Sequence, residues 1–452
     1  MANDEQPALK KTLGFWQIAF YGLGSMLGAG IYALIGRAAE SLGNAVWLAF
    51  IAAMVAALLT GLSYASVGSR YPRAGGAAFV THRAFNKEWL SYVVGIAVMM
   101  SGLTSMATGS QAIAENLQRA LGLSVDVKWL AIAFVGLVGC IIYRGIRESM
   151  WANIICTIVE ASGLVFIIVV GIPYWGGVDY LAMPPRAEGA SNFTALIVLQ
   201  GAVLTFFSFI GFEDILNVGE EVKDAQRNLP RGLIAAMIAA TVIYMAVAIT
   251  AVSVVPWAHL AKSPTPLMDV AHTAAPWFRG IDTVFLVITI FAIGNTALLN
   301  YLMGSRLLYG MSRQNLLPPA LGRIHRVRNT PHVAVITLFI IVTALILAGS
   351  VKDLAEATVL LLLAVFTVVN VALLRLKLRK SEPVGQFEVP AFVPLLGAIV
   401  CTTLIVVRVH SGITSTQPQV KNAPLIAGAI LITGLVLYAV LRPKKVLVRD
   451  AE

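Results

Sequence analysis

Charge is what this sequence has least of: Asp, Glu, Lys and Arg together make up 12% of its 452 residues, against about a quarter in soluble domains. That scarcity, with 58% hydrophobic residues and a mean hydropathy of +0.81, excludes an ordinary soluble domain. Cysteine is scarce too. Cys140, Cys156 and Cys401 all lie in apolar segments without paired or metal-like spacing, so neither a disulfide framework nor a zinc site is expected. The six histidines, His82, His259, His272, His325, His332 and His410, fall in loops or at the ends of apolar runs, and no His-Glu-x-x-His occurs. A membrane-embedded enzyme would therefore lack its metal or nucleophile constellation, and no enzyme activity, metal or cofactor is expected. Low-complexity tracts and short repeats are absent as well.

What the chain has in quantity is apolar length. Runs recur at roughly 16–38, 44–68, 89–118, 128–143, 152–174, 193–218, 232–255, 280–311, 332–350, 354–376, 390–409 and 423–441, most near the ~20 residues that span a bilayer. Twelve transmembrane helices are expected, the third and eighth being the longest. The hydrophilic start, Met1 to Lys11, is followed by no small-residue cleavage site, so the first run reads as a retained helix. An even number of spans puts both termini on one side. That side collects 24 of the 33 Lys and Arg residues and the other nine, which predicts cytoplasmic termini in the cell membrane. The net charge of +10 then reflects topology and anionic lipid; the partner it implies is a bilayer, not nucleic acid.

Two of the runs are interrupted by glycine: Gly24-Ser25-Met26-Leu27-Gly28-Ala29-Gly30 in the first and Ser208-Phe209-Ile210-Gly211-Phe212-Glu213-Asp214 in the sixth. Gly24-x-x-x-Gly28 alone is equally the small-residue spacing of close helix packing. Two interruptions at corresponding places in two five-helix units instead suggest discontinuous helices, whose freed backbone groups are tolerable only around a cavity. The expected architecture is an all-α integral membrane protein, a single transmembrane transporter domain over 1–452. It has a 5+5 inverted-repeat core with discontinuous helices 1 and 6 (first repeat 16–174, second 193–376), plus two C-terminal helices over 390–441. Short helices are expected in the connections around 69–79, 316–321 and 257–279.

The first interruption resembles the first-helix signature of the amino acid–polyamine–organocation (APC) superfamily of transporters. Phe206 to Glu213, followed by Glu220-Glu221-Val222-Lys223 and Asn228-Leu229-Pro230, resembles that family's sixth helix and its acidic exit. Tyr71-Pro72-Arg73-Ala74-Gly75-Gly76, Asn153 to Thr157, and Arg306 to Arg313 running to Leu317-Pro318 are similar as well. The resemblance implies that backbone N–H groups at Gly28, Ala29 and Gly30 bind a substrate carboxylate, and that carbonyls of Met26, Phe207 and Ile210 hold its ammonium. It further implies an aromatic cap at Phe207, with Phe206 as the neighbouring alternative. Ala29 departs from the serine or threonine of many relatives, leaving backbone donors only, so a decarboxylated amine stands beside an amino acid as substrate.

Glu160 lies inside the fifth apolar run, where a charged carboxylate costs on the order of 2.5–3.5 kcal/mol. One proton-coupled branch of the superfamily has a lysine there in place of a sodium ion. Three readings of Glu160 stand: a proton-coupling acid whose hydration changes with alternating access, a permanently protonated acid donating to carbonyls of the first helix, or a charge that helps bind a cation. Glu213 and Asp214 follow the sixth-helix break and are candidates for the aqueous pathway. Glu220 and Glu221 are gate candidates, or members of an inner salt-bridge network with Arg70 or Arg73. Asn295, Thr296 and Asn300 form a polar face of the eighth span, and Ser101, Ser105 and Thr108 one of the third; both kinds serve as pocket lining or as helix contacts.

Nothing in the sequence suggests a repeated filter loop or a ring of charges, so a channel fits less well than alternating access. The expected function is a permease for an amino acid or related amine, driven by protons. An exchanger or uniporter without proton coupling, and a non-transporting sensor, are the alternatives.

Overall fold

The computed structural model describes residues 10–73, 75–122, 124–184, 195–348, 352–414 and 418–441. Helix α1 (Phe15–Met26) stops after three turns, the chain crosses Leu27 and Gly28 without helical geometry, and α2 (Ala29–Leu42) resumes. There follow α3 (Val46–Arg70), the short α4 (Gly76–Phe85), α5 (Glu88–Leu121), α6 (Val127–Arg144) and α7 (Ile146–Gly171). The second discontinuous segment starts as α8 (Ala195–Phe206) and tightens into a 3-10 turn over Phe207–Phe209. It breaks at Ile210 and Gly211 and continues as a 3-10 helix over Phe212–Glu221. Ten residues is long for this tighter helix, which usually runs three or four and often marks a hinge. Then come α9 (Ala225–Val254), α10 (Trp257–Leu260), α11 (Pro266–Ala274), α12 (Ile281–Arg313), a 3-10 turn at Pro319–Gly322, α13 (His332–Ala348), α14 (Lys352–Lys377), α15 (Phe392–Thr414) and α16 (Pro418–Leu441).

Among the described residues no β-strand occurs, and eight helices are long and apolar enough to cross a membrane. Two shorter apolar helices, His332–Leu347 and Ala427–Leu441, accompany them. Large apolar side chains such as Leu137, Ile155, Val169, Val406 and Ile432 are exposed on the outside of the bundle. In water such a surface would aggregate; facing acyl chains it is at home. The chain is thus an all-helical, multi-pass membrane protein. Its longest helices are α5 and α12, at 34 and 33 residues. The sixth apolar run is not one helix to its end: only its first half is α-helical. Helix α7 begins six residues before the sequence pattern predicts, because Gly145 at φ +147° turns the chain straight from α6 into it.

Packing puts both breaks at the centre. Helix α1 lies against α7 and α9, α12 against α5 and α7, and α3 against α8 and α9. The second break is wedged by aromatic rings: Phe212 stacks on Phe366 of α14 at 5.2 Å, and Tyr64 of α3 meets both edge-on. Such pairs contribute about 0.5–1.5 kcal/mol each beyond the area they bury.

At the end of the bundle where α1 and α9 begin, the α14–α15 connection forms a clasp. Glu388 receives the Arg70 side chain through two hydrogen bonds of 2.5 and 2.7 Å, together with Lys377 and the Gly385 N–H. Glu382 accepts from Tyr71 and Arg83, and Arg379 donates to the carbonyls of Arg83 and Ala84 at the end of α4. Partial burial by itself pushes the Glu388 carboxyl up, but the three donors outweigh it and hold it at about 2, from an ordinary 4.5. A carboxyl held low contributes stability that is present above pH 4.5 and disappears as pH falls towards 2. We expect Glu388→Gln to lower the thermal midpoint in detergent at pH 7 and to flatten the acid limb of the stability curve between those two values. An unchanged acid limb in a pH series of melting curves would assign that limb to other groups.

Candidate functional site

The two breaks face one cavity, lined from the first by Ser25, Met26, Gly28 and Gly30 and from the second by Ile210, Gly211, Glu213 and Asp214. Its opposite wall is made by Ser101, Gly102 and Ser105 of α5 and by Thr296, Asn300 and Met303 of α12. The space free of protein atoms is about 670 Å³, open solvent at its mouth included. Among the described residues, two carboxyl side chains line it and no basic side chain does. The helix start at Ala29 leaves its first backbone N–H groups without intrahelical acceptors, a ready partner for an anion.

Each break is held to the other by short polar links. Ser25 Oγ of the first break donates to Asp214 Oδ2 of the second at 3.0 Å, while within the second break the Gly211 N–H donates to Glu213 Oε2 at 2.8 Å. The Tyr244 hydroxyl, from α9, stands 2.5 Å from the Met26 carbonyl and 2.9 Å from that of Ser208, so one proton serves a carbonyl from each broken helix. Gly211 has φ +120°, and a Cβ there would lie 2.5 Å from the Ser25 carbonyl oxygen. Only glycine fits this crossing.

Behind the first break is a second polar cluster. A Cβ on Gly24 would strike Thr157, Asn295 and Asn153 at 2.2–2.6 Å, so the backbone of α1 rests directly on polar side chains of α7 and α12. Asn295 Nδ2 reaches Thr157 Oγ1 at 3.1 Å and the Gly24 carbonyl at 3.4 Å; Thr157 donates to Asn153 Oδ1 at 3.1 Å. Glu160, one turn along α7 from Thr157, is fully buried, and neither of its carboxyl oxygens has a hydrogen-bond partner among the described residues. The cavity and this cluster are thus distinct: Thr296 and Ser105 line the former, whereas Asn295 turns to Gly24.

The acidic end of the second broken segment has a different partner from the one the sequence suggests. Glu221 pairs with Arg306 of α12, both fully buried, at 3.0 Å; Arg70 is taken by Glu388. Arg306 is an interior residue of α12, inside the eighth apolar run, while Arg70 ends α3 beside the α14–α15 connection. Glu220, half-buried, lies close enough to Tyr309 to act on it electrostatically. The backbone of Thr12 and Leu13 donates to the Glu221 carbonyl, and Leu13 bridges to Val222, so the start of α1 is stitched to the end of the second broken segment. The backbones of Ala29 and Phe207 stand at the two breaks, but their side chains lie outside the described residues.

A family model described as amino acid permease matches residues 13–436. The chain belongs to the amino acid permease family. Like the rest of this family it is a membrane transporter of the APC superfamily, and not an enzyme. It is 27% identical to the branched-chain amino acid permease BcaP of Bacillus subtilis, over 89% of each chain. Its identity to the methylthioribose transporter of the same organism is also 27%, over 88% of this chain and 89% of that one. It is 31% identical to the vacuolar cationic amino acid transporter 4 of Arabidopsis thaliana, over 83% of this chain and 64% of the plant protein.

Three contributors to this permease's site escape sequence reasoning. Tyr244 and Ser25 are single hydroxyls within apolar runs, and only their position opposite a break distinguishes them from helix-packing residues. The pairing of Arg306 with Glu221 spans 85 residues; an arginine inside the eighth apolar run, which needs a buried acid as partner, is the available signal.

Two outcomes follow from this geometry. Gly211→Ala places a Cβ against the Ser25 carbonyl at a disfavoured φ, which costs about 1–3 kcal/mol; thermal melting should drop and uptake should be lost, whereas Gly428→Ala, whose Cβ meets nothing within 4 Å, leaves both unchanged. Arg306→Met strands a buried carboxylate and destabilises by about 3–5 kcal/mol. Adding Glu221→Gln should recover most of that loss in the same melting assay, and a double variant as unstable as the single one would show that the pair is not the reason.

Proposed function

We propose that the chain is a secondary active transporter that carries an amino acid or a related amine across the cytoplasmic membrane by alternating access, with Glu160 as the proton-coupling site. The observation that carries the reading is the shared cavity of the two breaks, with a helix N-terminus and free backbone groups on one side and the carboxylates of Glu213 and Asp214 on the other. That combination suits a zwitterion or an amine: carboxylate to the N–H groups of Gly28, Ala29 and Gly30, ammonium to the carbonyls of Met26, Phe207 and Ile210. Phe207 caps the substrate on one side. Separation of Glu220 and Glu221 from α12 opens the other. The family name and the amino acid transporters among the relatives support this substrate class.

We read α1 with α2, and α8 with the 3-10 helix after it, as one span each, a count that supports twelve spans arranged as two five-helix repeats and two additional helices. The basic bias puts both termini in the cytoplasm. Glu160 supports proton coupling through its burial without a partner, beside the polar cluster that touches α1: a neutral acid is tolerated there, and an anion is tolerated only when movement of α1 admits water.

The test is accumulation of a labelled amino acid and amine panel in proteoliposomes, with and without an imposed pH gradient, for the parent and for Glu160→Gln. We expect gradient-driven accumulation by the parent; the variant should lose that drive, by tenfold or roughly 1.4 kcal/mol per lost pH unit, while retaining exchange. Equal, gradient-independent exchange in both would make the carrier an exchanger or uniporter, and binding without transport of any panel member would make it a sensor.

A further inference from the structure

The first turns of α9 carry a polarity gradient on one face. Asn228 and Arg231 are followed, at three- and four-residue spacing, by Ile234, Ala235 and Ile238. This face is one wall of a groove on the outside of the bundle, whose other walls are Phe15 at the start of α1 and Phe387 of the α14–α15 connection. Arg231 is exposed and makes no hydrogen bond or ion pair with any described residue; Ile238, two turns further on, is 55% exposed. Asn228 donates one amide hydrogen to the Lys223 carbonyl and has a second to give.

The surrounding charge has one predominant sign. The Lys223 N–H donates to the Leu13 carbonyl, which sets the start of α1 beside the start of α9. Lys10, Lys11, Lys223 and Arg227 are exposed there, and Asp224 is the exposed acid among them. A free anion would find the basic end attractive but would have no use for the apolar remainder. A peptide laid along the apolar part would leave its own backbone polar groups unpaired against Ile234 and Ile238. A molecule with an anionic head and a hydrocarbon tail satisfies both ends.

We propose that this groove is a binding site for an anionic phospholipid, with the phosphate against Arg231 and Asn228 and an acyl chain along Ile234, Ala235 and Ile238. Phe15 forms part of the same helix that ends in the substrate cavity at Met26, so a bound lipid braces α1 against α9. The site does not depend on what the cavity carries.

The experiment is native mass spectrometry of the full chain in detergent, titrated in parallel with dioleoyl phosphatidylglycerol and dioleoyl phosphatidylcholine. Selective retention of the anionic lipid is expected, reduced about fivefold in Arg231→Gln, the value of one basic residue at an anionic surface. Ile238→Trp, which blocks the tail end, should reduce retention as well, whereas Arg326→Gln in the loop after α12 should not. Water-soluble glycerophosphoglycerol and inorganic phosphate at matched concentration should fail to displace the lipid. Equal retention of both lipids, retention unmoved by Arg231→Gln, or displacement by the soluble phosphates would overturn the proposal, the last by reducing the site to one for simple anions.

Discussion

A polypeptide inside a bilayer has no water to satisfy its backbone, and the rest of this structure follows from how two interrupted helices meet that constraint. Leu27 and Gly28 interrupt one helix, Ile210 and Gly211 the other, and each interruption releases N–H and carbonyl groups inside the bundle. Some of these are recaptured by the protein: Tyr244 serves Met26 and Ser208, and Glu213 accepts from Gly211. The others border a cavity. A break that were fully recaptured would have nothing to offer a substrate, and one left wholly unsatisfied would be too costly to fold.

The acidic residues show the same division between closed and open pairings. Glu221 is matched by Arg306 and Glu388 by Arg70 and Lys377, arrangements that hold elements together at one end of the bundle. The Asp214 side chain accepts only from Ser25 among the hydrogen bonds of the described residues and stays at the cavity wall. Glu160, outside the cavity, has no hydrogen-bond partner among the described residues. Buried charge paired this way adds little net stability, because desolvation offsets attraction, but it penalises every arrangement in which the partners separate. A carrier that must open at one end at a time can use such pairs as thresholds.

Much was legible without coordinates. Low charge and long apolar runs imply a membrane protein whatever the helices do, since the cost of burying charge in hydrocarbon is a property of the residues themselves. The glycines at 24–30 and 211 mark both breaks because backbone freedom is equally local. The helical character of the chain and its family could be read from such patterns, as could the short helices α4 and α11. What resisted reading was partnership: the Glu221–Arg306 pair, the Glu388 clasp and the Tyr244 bridge each join residues from distant runs, and the number of candidate partners for a buried acid in a chain with 33 basic residues is large.

The sequence by itself thus determined the solvent this protein lives in, the helical class that such a solvent enforces, and where two helices must fail, because each depends on residue type and neighbours along the chain. Only the tertiary structure decided which of the freed polar groups face a common cavity, that Asn295 turns to Gly24 while Thr296 lines the cavity, and that Arg306 and not Arg70 neutralises Glu221. Those outcomes depend on distances between helices, which packing sets and local sequence does not contain.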